Sequence, residues 1–160
     1  MTNVIEISRV AHDKALPFEP LTPNAALGAA IESLPGRKLI LTNGTRRHAD
    51  AVLARLELDR HFEDVFDIVA AELDPKPSPQ TYDRFLKAHA VDAGKAAMFE
   101  DLARNLAVPH ALGMTTVLVV PEHTREVFRE GWELEGRDAL HVDHVTDNLV
   151  AFLESIAAKR

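Results

Sequence analysis

The stretch "KLILTNGTRRHADAVLARL", Lys38 to Leu56, decides how the rest of the chain is read. Three apolar residues, Leu39 to Leu41, run into Thr42, Asn43 and Gly44, and a helix-periodic segment follows at once. A short apolar run with no alternation belongs to a strand buried on both faces, and the 3.6-residue period belongs to a helix that covers it. A hydroxyl, an amide and a glycine at that junction have two explanations. The exposed amides of a helix start, joined by a short hydroxyl, can hold an anion such as phosphate. Equally, Asn43 or Thr45 can cap the helix while Gly44 makes the turn.

Outward from this junction the chain keeps alternating. "NVIEISRV" (3–10) reads as a strand, and "HDKALPFEPLTPN" (12–24), with three prolines, as an extended linker. "NAALGAAIESL" (24–34) is a helix with Asn24 as its N-cap, and "PGRK" turns the chain into the strand at 38–42. After the helix at 45–57, "FDIVAAE" (66–72) is expected as a strand, "LDPKPSP" as a breaker, and 79–89 as a helix. "AAMFED" (96–101) is a buried strand that ends in two acids, and "LARNLAVPHALG" is a helix closed by Gly113. "TTVLVV" (115–120) is a further buried strand, 122–144 is ambiguous, and "TDNLVAFLESIAAKR" is a capped C-terminal helix. Apolar strands alternating with helices imply an α/β three-layer sandwich around a Rossmann-like, mostly parallel sheet. The expectation is one domain over 1–160 without a cap, residues 1–23 being an atypical leading segment and linker. "KLILT", "AAMFE" and "TTVLVV" are expected to lie side by side.

Composition narrows the function classes. The 160 residues are 46% hydrophobic, enough for one sizeable core, and carry a formal charge of −7. An acidic balance argues against a general binder of nucleic-acid polymers or membrane surfaces, while leaving room for a small basic pocket. There is no cysteine, so neither disulfides nor thiolate metal sites are available. This composition, with no signal-peptide pattern in "MTNVIEISRVAHDK" and no apolar run of membrane-spanning length, fits a cytoplasmic protein. Whether the chain pairs as a homodimer is left open.

In a parallel sheet, ligands sit beyond the carboxyl ends of the strands. Three such ends carry polar chemistry here: "TNG", the loop holding "DPKPSP", and "FED". Lys76 stands between two prolines whose fixed φ stiffens its loop, which lowers the entropy lost in aiming an ammonium at an anion. Alternatively it is a solvated turn lysine. Glu100 and Asp101 close a buried strand together, so that one acid can ligate a hard cation while the other pairs with Lys76. A helix N-cap with a dipole partner would also explain them. Asn105 falls four residues beyond Asp101, on the same helical face.

Taken in this order, "LILTNG", "DPKPSPQTYDRFL" and "MFEDLARNLAVPHALGMTTVLV" resemble the second, lysine and metal-binding motifs of the haloacid dehalogenase superfamily. "LPGRKLILTNGTRRHA", "FEDLARNLAVPHALGMTTVLVVP" and "HVDHVTDNLVAFL" are very similar to its bacterial pyrimidine 5′-nucleotidase branch, and the likeness covers about Asn24 to Leu153. The resemblance implies a phosphomonoester hydrolase acting on a small phosphate or nucleotide with Mg²⁺. It implies that Thr42, Asn43 and Gly44 bind the phosphate, and that Lys76 neutralises phosphate and nucleophile charge. Asp101 would ligate Mg²⁺, Glu100 would support Lys76 and the metal or bind it weakly, and Asn105 would steady the loop.

The leading segment departs from that pattern. The family's first motif is Asp-x-Asp at the end of a strand, its first Asp the nucleophile and its second the general acid/base, and a helical cap normally precedes the second motif. No Asp-x-Asp occurs in this sequence, and "AHDKALPFEPLTPNAAL" looks like the linker that returns from a cap to the core. If "VIEIS" stands in as the first strand, Glu6 and Ser8 take the two acid positions, with Glu6 as candidate nucleophile or base. Two readings stay open: a hydrolase of this type, or a non-catalytic phosphate-binding or interaction domain, including a truncated product. His141, Asp143 and His144 in "HVDHVTD" lack zinc spacing and suit a short edge strand before a helix capped by Thr146 or Asp147. His110 reads as structural, and Trp132 with Phe128 as packing the ambiguous segment onto the core.

Overall fold

A computed structural model describes residues 1–5, 22–120 and 139–158. Their strands are β1 (Thr2–Ile5), β2 (Arg37–Leu41), β3 (Asp64–Phe66), β4 (Ala96–Glu100), β5 (Thr115–Val119) and β6 (His144–Thr146). The α-helices are α1 (Ala25–Ser33), α2 (Arg46–Leu56), α3 (Pro79–Ala88), α4 (Ala107–Ala111) and α5 (Leu149–Ala158). The strands form one sheet in the order β3-β2-β1-β4-β5-β6, and every neighbouring pair is parallel. The fold is therefore the expected three-layer α/β sandwich with a Rossmann-like sheet.

Side-chain alternation builds the two outer layers. Ile5, Ile40, Phe99 and Val117 face one side and pack with α1, α2 and Leu153 of α5. Val4, Leu39, Leu41, Met98 and Leu118 face the other and pack with Tyr82 and Phe85 of α3 and with Leu106. Burial on both faces explains why the central strands read as continuous apolar runs rather than alternating ones. Asn24 caps α1, its Oδ1 accepting from Leu27 N at 3.0 Å. Gly36, at φ +82°, makes the turn into β2 so close to Met1 that a Cβ there would lie 1.9 Å from the Met1 carbonyl oxygen. That approach lets Arg37 N donate to Met1 O at 3.1 Å and starts the β1–β2 ladder.

The structure corrects three local expectations. First, β2 and β4 are not neighbours: β1 lies between them, paired through Ile5 with Ile40 on one side and Phe99 on the other. Second, "FDIVAAE" is not a strand; β3 stops at Phe66 and residues 68–73 form turns. Asp67 ends the strand because its carboxylate accepts from Ala70 N at 2.9 Å, which folds the chain over, and from Arg46 N at 2.8 Å, which caps α2 beside Thr45. Third, the last helix is capped by Asn148, whose Oδ1 accepts from Ala151 N at 2.9 Å, while Thr146 braces Asn148 from the end of β6. Among the described residues no helix is long and apolar enough to cross a membrane. Glu6, Ser8, Phe128 and Trp132 lie outside the described residues.

Asp67 supplies a stability test. Burial alone would raise its pKa, but the N–H groups of Ala70, Arg46 and Val69 outweigh burial and hold it below the usual carboxylate value. A lowered native pKa means its contribution is present above the unfolded carboxylate range and is lost as pH falls through the lower folded value. Asp67→Ala should therefore cost about 1–2 kcal/mol at neutral pH in urea unfolding. The gap to wild type should close in acid.

Candidate functional site

Because all six strands run parallel, their carboxyl ends share one edge, and the candidate site is assembled there from three distant segments. Lys76 is 4% exposed and Glu100 1%. Lys76 Nζ donates to Glu100 Oε1 at 2.7 Å and to the Leu41 carbonyl at 3.0 Å. Leu41 ends β2 and Glu100 ends β4, and β1 runs between them. The ammonium thus links the ends of the two strands that flank β1.

Glu100 is held on every side. Oε2 accepts from the N–H groups of Asp101 at 2.7 Å and Leu102 at 2.9 Å. Oε1 accepts from Asn105 Nδ2 at 2.7 Å as well as from Lys76. Burial by itself would raise the carboxyl's pKa, but the Lys76 charge and these donors outweigh it and keep Glu100 ionised. Asn105 is buried too, and its Oδ1 has no hydrogen-bond partner among the described residues. The Asn105 carbonyl in turn accepts from the Tyr82 hydroxyl at 2.6 Å, which ties α3 to the turn after β4.

The lysine loop is fixed through its backbone. Asn43 Oδ1 accepts from Lys76 N at 2.8 Å, and Asn43 Nδ2 donates to Lys76 O at 3.2 Å. This reciprocal pair fastens "PKP" to "TNG". Asn43, expected as a phosphate ligand, spends its amide on positioning the lysine. Thr42 is buried, and its Oγ1 accepts from Gly44 N at 3.0 Å. Ile68 N donates to Gly44 O at 3.1 Å, so the turn after β3 closes against the same loop. Thr42, Asn43, Gly44, Lys76, Glu100 and Asp101 are thereby gathered at one edge. Asp101 is partly exposed there and follows directly on Glu100.

Two contributors were not singled out from sequence. Asp67 sets the start of α2, and its only signal was an acid inside a short apolar run. Tyr82, the chain's single tyrosine, gave no signal beyond a helix-periodic position. The acid and histidines of "HVDHVTD" make other contacts. Asp143 Oδ2 accepts from Thr116 N at 2.8 Å and joins the last loop to β5, and His141 Nε2 sits 2.9 Å from Ala103 O. His110 is 3.6 Å from Asp143, at an open depression of about 570 Å³ beside the amino ends of β5 and β6. Among the described residues no group of three or more His, Asp or Glu stands ready to hold a metal.

Comparison with known proteins bears on this arrangement. Residues 5–113 match the model of the haloacid dehalogenase-like hydrolases. No curated protein matches the chain by sequence. Among solved structures, the L-2-haloacid dehalogenase from Xanthobacter autotrophicus with chloropropionic acid covalently bound superposes with a TM-score of 0.68 at 16% identity, over 87% of this chain and 62% of that one. A conserved haloacid dehalogenase-like protein of unknown function from Agrobacterium tumefaciens gives 0.61 at 17%, over 82% and 58%. A HAD family hydrolase from Deinococcus radiodurans with bound phosphate and sodium gives 0.58 at 22%, over 84% and 56%. At these identities the likeness establishes the fold. The chain spans about three fifths of the length of the structures it matches.

The buried pair makes a sharp prediction. Lys76→Met strands a buried carboxylate and Glu100→Gln strands a buried ammonium, so each should cost about 3–5 kcal/mol in urea unfolding. The double variant should cost less than the sum by about 1–3 kcal/mol. Full additivity would mean that the pair is not coupled.

Proposed function

The chain belongs to the haloacid dehalogenase-like hydrolases, and from that premise we propose that it forms the phosphate-binding core of a phosphomonoester hydrolase, most like a pyrimidine 5′-nucleotidase. The observation that carries this reading is the buried Lys76–Glu100 pair, aimed across the carboxyl ends of β2 and β4 beside Thr42. Thr42 donates its hydroxyl to a phosphoryl oxygen, and Gly44 lets that group come close to the backbone. Lys76 offsets the charge that grows on phosphoryl oxygens as the ester bond breaks. Pinned by Glu100 and Asn43, it needs no reorganisation at that moment. The Deinococcus radiodurans protein, on the same fold, was found with bound phosphate and sodium, which supports a fold that takes an anion and a cation.

The donor set suits a lightly held Mg²⁺. Both oxygens of Glu100 are already taken by N–H donors, so Asp101 and the orphaned Asn105 Oδ1 would hold the ion. One carboxylate and one amide oxygen, completed by water and phosphate, match a cation that keeps most of its hydration. Bound there, Mg²⁺ supplies charge neutralisation and orients the phosphoryl group.

Attack on phosphorus needs an in-line carboxylate, and neither Thr42 nor Lys76 provides one. Glu6, the residue after Ile5 of the central strand, is the proposed candidate. Its carboxylate oxygen would bond to phosphorus as the ester oxygen departs and takes a proton from solvent water, and a second water would then hydrolyse the acyl phosphate to free phosphate and restore the carboxylate. Ser8 replaces the second acid and cannot titrate to protonate the leaving oxygen, so turnover should be slow. A phosphate-binding domain without catalysis is the second reading, favoured by the lack of Asp-x-Asp in the sequence. A phosphate-release assay with Mg²⁺ and a panel of nucleoside monophosphates decides between them. The expected rate is several orders of magnitude below an intact nucleophile–acid pair, and Glu6→Gln removes what remains. Robust Mg²⁺-dependent turnover that survives Glu6→Gln would defeat the assignment of Glu6.

A further inference from the structure

The imidazole of His48 lies at the same phosphate cradle. His48 is the third residue of α2, with its N–H on Thr45 Oγ1 at 3.3 Å. Helical side chains lean toward the amino end of their helix, so a side chain in the first turn overhangs the loop that precedes it. The space above Gly44 shows the result. A Cβ built on Gly44 would lie 3.4 Å from Thr42 Oγ1 and 3.6 Å from His48 Cδ2. The hydroxyl and the imidazole edge therefore flank one point on one side of the backbone, and Cδ2 is bonded to Nε2, the ring's outer nitrogen. His48 itself is exposed, so it reaches this place from the solvent side, while Thr42 reaches it from the buried side. Gly44 has an ordinary φ, so its missing side chain leaves room between the two groups rather than freedom in the turn.

We propose that His48 is a phosphate-contacting residue. Its ring N–H donates to an outer oxygen of a phosphoryl group seated on Thr42–Gly44. The proposal rests on the reading of that loop as an anion cradle. It adds a second side-chain donor on the exposed side of the loop, where Lys76 is buried. Two kinds of contact follow: a buried one that neutralises charge, and an exposed one that holds an outer oxygen.

Calorimetry with inorganic phosphate tests it on the full chain. His48→Phe keeps a planar ring but removes both nitrogens, and should weaken phosphate binding about tenfold, the usual effect of losing one hydrogen bond to a charged group. His48→Gln, which keeps an N–H donor, should stay within about threefold of wild type. Far-UV circular dichroism of the three proteins checks that each is folded before the titration. In wild type, the ring ¹⁵N resonances that disappear in His48→Gln should move on addition of phosphate and stay put with chloride. If wild type binds phosphate and His48→Phe binds it equally, or if the ring resonances do not move while the Gly44 amide does, the His48 contact is wrong and the cradle stands. If wild type binds no phosphate, the cradle reading fails and takes this contact with it.

Discussion

A buried ammonium facing a buried carboxylate is the constraint around which the carboxyl edge of this sheet is organised. Taking two charges out of water costs several kcal/mol per ion, and their attraction repays it only if every remaining lone pair is met. Glu100 meets that condition with four donors, from Lys76, Asn105 and two backbone amides. The two side-chain donors are themselves tied to other elements. Lys76 holds the end of β2, Asn43 holds Lys76, and Asn105 holds Tyr82. Replacing a buried ion pair by apolar residues of the same volume is often neutral or stabilising, so packing is a weak reason for charges at this place. An anion arriving beside Thr42 is a stronger one, and that is the basis of the proposed function.

The topology explains why residues so far apart in sequence meet. With every pair parallel, β2 and β4 deliver their last residues to the same edge, and the order β3-β2-β1-β4-β5-β6 changes direction around β1. Loops on either side of such a reversal diverge and leave a crevice, which is where open α/β sheets take ligands. Lys76 bridges that crevice from Leu41 to Glu100. The opposite edge carries the His110–Asp143 depression, but Asp143 there is committed to Thr116 and acts as a brace.

Much of this was legible in the sequence because burial writes directly into residue type. Leu39–Leu41, Ala96–Phe99 and Val117–Val119 are apolar without alternation, which only a sheet covered on both faces requires. The meeting of Thr42, Lys76 and Glu100 followed from placing each at a strand end or in the loop beside one. Other features depend on partners that local pattern does not show. Phe66–Glu72 looks like a strand until Asp67 is seen to bond Arg46 and Ala70. Thr146, Asp147 and Asn148 are all good caps, and only the register of β6 selects Asn148. Asn43 sits where an anion ligand would, yet its amide closes on the Lys76 backbone, a contact across 33 positions. The insertion of β1 between β2 and β4 is likewise a pairing decision, invisible in a four-residue strand.

The central claim is that this edge, and not another part of the molecule, is the anion site. Backbone amide NMR during a titration with inorganic phosphate in the presence of Mg²⁺ reads it directly. The account predicts saturable shifts at Asn43, Gly44, Lys76 and Asp101, with Gly113 and His144 at the far edge unmoved. Shifts that centre on Gly113 and His144, or none at Gly44 and Lys76 at saturating phosphate, would contradict it.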